Sequence, residues 1–265
     1  LFGEGGRQPD TAVNRLLRLL QARGVLDDVE VALPGDDRRE KQLFALREAV
    51  PMCVNHRVQA AQREVDRGIH KVAADMIAGN PSLKVGVVGA EMFSRILDFE
   101  DRRTCVLFGD GAGATILTGT DGDTGLVASN WGSDGNLASI LQVPAGGSAK
   151  PASLATVDAR EHFVYMEGSK VFKHAVTAMS SSMLQALADA AIGPDDIDVF
   201  IPHQANKRIM DACLDRTRID EAKVFSVLEN YGNISAASIP VAIDEARKSG
   251  VLKDGHILAV TAFGT

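Results

Sequence analysis

Aromatic side chains are scarce in this 265-residue chain, at 10 Phe, two Tyr and one Trp, and there are only three cysteines. Cys53, Cys105 and Cys213 are odd in number and far apart. That spacing excludes a dense disulfide framework and a zinc knuckle, and no metal site is expected. No apolar run approaches the roughly 20 residues that a membrane-spanning helix needs. The first residues lack a basic-then-apolar signal pattern, so a cytoplasmic protein with reduced thiols and no membrane partner is expected. Basic residues are in deficit as well: 28 Lys and Arg against 35 Asp and Glu leave a net charge of -7. Such a balance argues against a general nucleic-acid binder, though not against a local basic patch for an acidic partner. What remains is ordinary globular composition, 45% hydrophobic and 24% charged.

Hydrophobic periodicity supplies the secondary structure. Val13, Leu16, Leu17 and Leu20 recur at helical spacing, and Val29–Leu33 reads as a short strand ended by Pro34-Gly35. Residues 36–70 are highly charged and lack a clean period; a helix is placed around 40–49. Val72–Ala78 suits a buried helix and Val85–Val88 a fully buried strand. Cys105–Phe108 and Thr115–Leu117 read as strands flanking the small-residue run Gly109–Ala114, taken as a buried turn. Val176, Met179, Met183 and Leu187 mark one face of a long helix. Val199–Ile201 is a second apolar strand, Ser235–Arg247 a third helix, and Ile257–Thr261 a last buried strand. Helices alternating with short, continuously apolar strands are the pattern of an α/β protein whose sheet is covered on both faces.

Two segments carry candidate chemistry. Pro202-His203-Gln204-Ala205-Asn206 follows an apolar strand, where a sheet protein exposes polar groups to a ligand. Asn233 lies thirty residues on, in Tyr231-Gly232-Asn233-Ile234-Ser235-Ala236-Ala237-Ser238, which opens a helix of small residues. A neutral imidazole N–H and an amide N–H together could hold an enolate or thioester oxygen. Taken singly, each residue has a plainer reading, a structural histidine and a turn asparagine. The run Gly109–Ala114 has neither GxGxxG nor a P-loop lysine, which weakens a nucleotide-binding reading.

Four ordered segments resemble β-ketoacyl-acyl-carrier-protein synthase III: Cys105–Ala114, Met166–Lys173, Ile201–Asn206 and Tyr231–Pro240. The resemblance covers the chain from about Val72 to Thr265. It implies a thiolase-like fold, two similar βαβαβαββ halves in five layers, with halves at 1–118 and 119–265 and a homodimer built on an edge strand of the first half. It also implies decarboxylative condensation of an acyl-CoA with malonyl-acyl-carrier protein, both substrates, with no cofactor. His203 and Asn233 match two of the family's catalytic residues and would stabilise the enolate. Gln204, Ala205, Asn206, Lys207 and Arg208 fall where the family docks its carrier protein, and Arg102 aligns with a residue that contacts the CoA nucleotide.

The family's nucleophilic cysteine has no counterpart at its expected place near residues 62–64, where Gln62 stands. Cys53 is the nearest thiol, while Cys105 is expected in the core. Three explanations stay open. The chain is a relative without the thiol, acting as decarboxylase or partner subunit; or Gln62 resembles an acylated cysteine, with its amide carbonyl in the oxyanion site; or the recorded residues 36–70 depart from the protein's own sequence there. The chain is also expected to be shorter than a full synthase at both ends.

Overall fold

The computed structural model of the chain describes residues 65–120 and 124–264. Along them run helix α1 (Val65–Gly79), strands β1 (Lys84–Met92), β2 (Asp110–Thr118) and β3 (Leu141–Gln142), and helix α2 (Leu154–Asp158). Strand β4 (Tyr165–Met166), helix α3 (Gly168–Asp189), strand β5 (Val199–Pro202) and helix α4 (Lys207–Thr217) follow. Helices α5 (Leu228–Tyr231) and α6 (Ser238–Lys248) and strand β6 (Leu258–Thr261) complete the order. The elements expected over 13–20, 29–33 and 40–49 lie outside the described residues, as do Cys53 and Gln62.

All four residues of β5 are buried, and the strand's period of two divides them between two layers. Val199 and Ile201 pack with Ile239, Ala242 and Ala246 of α6 and with Val227. Phe200 turns the other way, against Met183 and Leu187 of α3, Ile197 and Ile219. Burying side chains of this size removes apolar surface from water at roughly 1.5–3 kcal/mol each. β6 pairs with β5 in parallel, Val199 opposite Leu258 through Pro202 opposite Thr261. The expected face of α3 is the buried one: Val176, Met179, Met183 and Leu187 all point inward. Its first half packs on α4 through Ala175, Val176, Met179, Ile209 and Cys213.

Strands β1 and β2 pair antiparallel over their full length, Lys84 opposite Thr118 through Met92 opposite Asp110. One face of this pair carries three glycines, Gly89, Gly111 and Gly113. A Cβ on Gly89 would sit 2.3 Å from the Ala236 carbonyl oxygen, and one on Gly111 would sit 2.9 Å from Ile234 Cδ1. A Cβ on Gly113 would come within 3.0 Å of the Pro240 ring. At Gly89 the backbone of Ala236 and Ala237 therefore fills the place of a side chain, while at Gly111 and Gly113 the side chains of Ile234, Pro240 and Val241 fill it. Packing contacts run in the order α3, β5–β6, α6, β1–β2, α1, which is helix and sheet alternating five layers deep.

Five expectations need correction. Cys105–Leu107 is a turn and Phe108 makes only an isolated parallel bridge to Asn233, because Asp101 organises the segment: the Asp101 carbonyl accepts from the backbone N–H of Thr104 and Cys105, and its carboxylate from the N–H of Arg103. Such local side-chain bonding competes with strand formation. Cys105 is accordingly half-buried, not core, and the small-residue run is itself strand β2 rather than a turn. The helix containing Val72–Ala78 buries Ala73 and Ile77 but exposes Val72 and Met76 by 43% and 45%. Val85–Val88 belongs to a longer strand that is half-buried, with β2 as its strand partner among the described residues. No described helix is long and apolar enough to cross a membrane.

The glycine face gives a direct test. Gly89→Ala should destabilise the protein by at least about 2 kcal/mol through overpacking against the Ala236 carbonyl. Gly86→Ala, with nothing within 4 Å of its new methyl group, should be neutral or slightly stabilising. Chemical denaturation of the two variants checks the contrast.

Candidate active site

Asn233 is positioned by backbone on both sides. Its N–H donates to the Leu107 carbonyl at 3.0 Å, and its own carbonyl accepts from Gly109 N–H at 2.9 Å. The residue before it, Gly232, has φ 67° and ψ -162°, a region open essentially to glycine alone. The family-like run around Gly109 thus clamps the main chain of Asn233, and this is its structural role.

The Asn233 amide is oriented as firmly as its backbone. Oδ1 accepts the Ser235 N–H at 2.9 Å. That bond assigns the amide, since only the oxygen can accept, and it leaves the two Nδ2 hydrogens as the group's remaining donors. Ser235 itself sits at φ 47°, the left-handed region that costs a non-glycine residue about 1–2 kcal/mol. Glu91, at the end of β1, faces the same turn. Burial raises its carboxyl above the ordinary carboxylate range, against the opposing pull of the Ser235 hydroxyl and the Ala236 backbone N–H.

His203 follows β5 directly. Its N–H donates to the Thr261 carbonyl at 2.7 Å, so β6 fixes the point where the strand delivers it. The side chain is 6% exposed, and Nδ1 is buried without a partner among the described residues. Burial pushes its pKa down to about 4. The imidazole is therefore neutral at pH 7, with one N–H donor and one bare acceptor nitrogen.

The segments bearing His203 and Asn233 share a frame. Gln204, next to His203, accepts through Oε1 from the Ser226 hydroxyl at 2.8 Å and from Val227 N–H at 3.0 Å. Val227 in turn caps α5, the helix that delivers Gly232 and Asn233. Helix α6 then packs on both β5 and β2. Gln204 is 0% exposed, its side chain committed to these inward bonds. Ala205 and Asn206 are half-buried, Asn206 capping α4 by accepting Arg208 N–H. Lys207 and Arg208 are exposed, Lys207 paired with Asp211 at 2.9 Å and Arg208 lying over the Phe172 ring. Arg102 is exposed on the turn organised by Asp101. No described cluster of His, Cys, Asp and Glu could hold a metal ion.

Sequence reasoning missed Glu91 and the Leu107–Gly109 clamp. A lone carboxylate at the end of an otherwise apolar strand, Val85–Ala90, was the available signal.

Alternating helix and sheet layers, with polar groups delivered at a strand end and before a small-residue helix, define the class of thiolase-like condensing enzymes. The 3-oxoacyl-[acyl-carrier-protein (ACP)] synthase III family matches residues 69–135, and the C-terminal part of the same family matches residues 187–265. A β-ketoacyl-[acyl-carrier-protein] synthase III of Natranaerobius thermophilus is 47% identical over 197 residues, 73% of this chain and 60% of the relative. The crystal structure of 3-oxoacyl-[acyl-carrier-protein] synthase III from Aquifex aeolicus superposes with a TM-score of 0.64 at 36% identity, over 72% of this chain and 57% of that one. The corresponding enzyme of Pseudomonas aeruginosa gives 0.67 at 33% identity, over 77% and 61%. The chain belongs to the β-ketoacyl-acyl-carrier-protein synthase III family. It spans about 60% of the length of the curated relatives it matches.

The depressed pKa of His203 has a measurable consequence. An unfolded chain holds this histidine near 6.5, so the stability due to its neutral form is complete above pH 6.5. It is lost as the pH falls towards 4, where the unfolded state binds the additional proton. The difference in unfolding free energy between wild type and H203Q should therefore change by about 3 kcal/mol from pH 7 to pH 4. Urea titrations across that range check it.

Proposed function

We propose that this chain is the condensing part of a β-ketoacyl-acyl-carrier-protein synthase III. An acyl group passes from acyl-CoA to a cysteine thiolate, releasing CoA. Malonyl-carrier protein then loses CO₂, and the resulting carbanion attacks the acyl thioester and expels the thiolate. The observation that carries this reading is the orientation of the Asn233 amide, whose Nδ2 donors remain after Oδ1 is taken by Ser235. The neutral His203 supplies a second donor suited to an oxygen that becomes negative in the transition state. The donor is the neutral imidazole rather than an imidazolium, since burial holds the charged form off. The place of the nucleophile falls among residues outside the description. Cys213 is unsuited to it: the thiol is 0% exposed within an apolar cluster.

The carrier protein and homodimer belong to the same reading. Lys207 and Arg208 offer exposed cations for an acidic carrier helix, and Ala205 and Asn206 set the turn that presents them. The exposure of Arg102 is consistent with a contact to the CoA nucleotide. β2 ends at Thr118, which supports a boundary between halves 1–118 and 119–265. A cytoplasmic enzyme follows from its soluble substrates.

His203→Ala and Asn233→Ala should each slow malonyl decarboxylation by roughly a hundredfold or more with the fold intact. Steady-state CO₂ release and circular dichroism check this; full activity in either variant would remove that residue from the mechanism. For assembly, light scattering should give twice the protomer mass at micromolar concentration. A protomer mass throughout would reject the dimer.

A further inference from the structure

We propose that Glu91 is a positioning residue: it holds Ser235 in its turn and, through Ser235, aims the Asn233 amide. This rests on the reading of Asn233 as a donor to the reacting oxygen. Glu91 and Gly89 lie two residues apart on β1 and so share a face. Gly89 meets the Ala236 carbonyl by having no side chain, while the buried Glu91 carboxyl faces the Ser235 hydroxyl and the Ala236 N–H, the two groups that draw its pKa down against burial. The strand therefore meets the same turn twice, once by close approach and once with a carboxyl group. A carboxylate has capacity for both donors together, the Ser235 hydroxyl and the Ala236 N–H.

The turn needs such a grip. Ser235 is at φ 47°, a conformation that persists in a non-glycine residue only where its surroundings over-determine it. Its N–H is the group that fixes Asn233 Oδ1. Relaxing Ser235 towards ordinary backbone geometry would swing that N–H away and free the amide to rotate. The carboxylate also keeps its place at an energetic cost, since burial disfavours its charge. A residue serving strand propensity alone would not be a desolvated glutamate.

The test uses E91A, E91Q, S235A and N233A in the full protein. E91A should lower kcat for malonyl decarboxylation by roughly ten- to a hundredfold with KM nearly unchanged, as misplacement of a donor does. E91Q retains an acceptor oxygen and should recover most of the loss. The double variant E91A/N233A should be no slower than N233A alone, because both act through one amide. The Asn233 side-chain ¹⁵N resonance should move in E91A and in S235A, and stay near its wild-type position in E91Q. Should E91A fail to fold, S235A carries the same readings, since it keeps the backbone N–H and loses the contact to Glu91. An unmoved Asn233 resonance, or a loss of rate that adds to that of N233A, overturns the proposal. If N233A itself retains full rate, the functional reading falls, and the resonance still decides whether Glu91 orients the amide.

Discussion

Much of this molecule hangs on the close approach of one segment, residues 234–241, to the strand pair β1–β2. Gly89, Gly111 and Gly113 clear the surface: the backbone of Ala236 and Ala237 settles over Gly89, and the side chains of Ile234, Pro240 and Val241 fill the space over Gly111 and Gly113. From this contact the other arrangements follow. The clamp of Leu107 and Gly109 on Asn233 forms at one edge of it. Helix α6 is held so that its opposite side packs against Val199 and Ile201, tying the glycine-faced strands to the sheet that carries His203. Protein interiors leave little slack, so a shift of a few tenths of an ångström here reaches both polar groups.

Water exclusion is the second theme, and it acts differently on each group. For His203 it selects the neutral imidazole, with Nδ1 left without a described partner. For Glu91 it opposes the charge that two donors favour. For Asn233 it leaves the ionisation question aside and sharpens geometry, since a buried amide with its oxygen engaged has one orientation that satisfies Ser235. A site of this kind acts by pre-set dipoles rather than by mobile charge, which suits a reaction whose developing charge sits on oxygen.

The parts of the fold legible in the sequence are those where one physical rule acts alone. Helix α3 shows its face because four large apolar side chains keep helical spacing, and β5 shows itself because an all-apolar tetrapeptide ends at Pro202. Legibility failed where two rules compete. Cys105–Phe108 has strand-like composition, yet Asp101 gathers the backbone up to Leu107 into a turn. Gly109–Ala114 looks like a buried turn, yet its small residues are what a strand packed closely under Ile234, Pro240 and Val241 requires. Gln204 looks like a surface residue in a polar run, and only the positions of Ser226 and Val227 reveal an interior bond. His203 and Asn233 were found through resemblance; periodicity was silent about both, because neither belongs to a repeating pattern.

The glycine-faced strand pair also bears on how the chain reaches its final form. Met92 and Asp110 are joined by a long connection rather than a tight turn, so the connection itself does little to dictate which residue of β1 lies opposite which of β2. A slip of one position would bring side chains to the face where the Ala236 carbonyl must lie. Correct alignment of the two strands is thus tested by a segment more than a hundred residues downstream. The pairing can sample misaligned forms until that segment has been made and has docked. Dependence on so distant a contact is characteristic of slow folding, and it predisposes the unfinished chain to association through its unprotected strands.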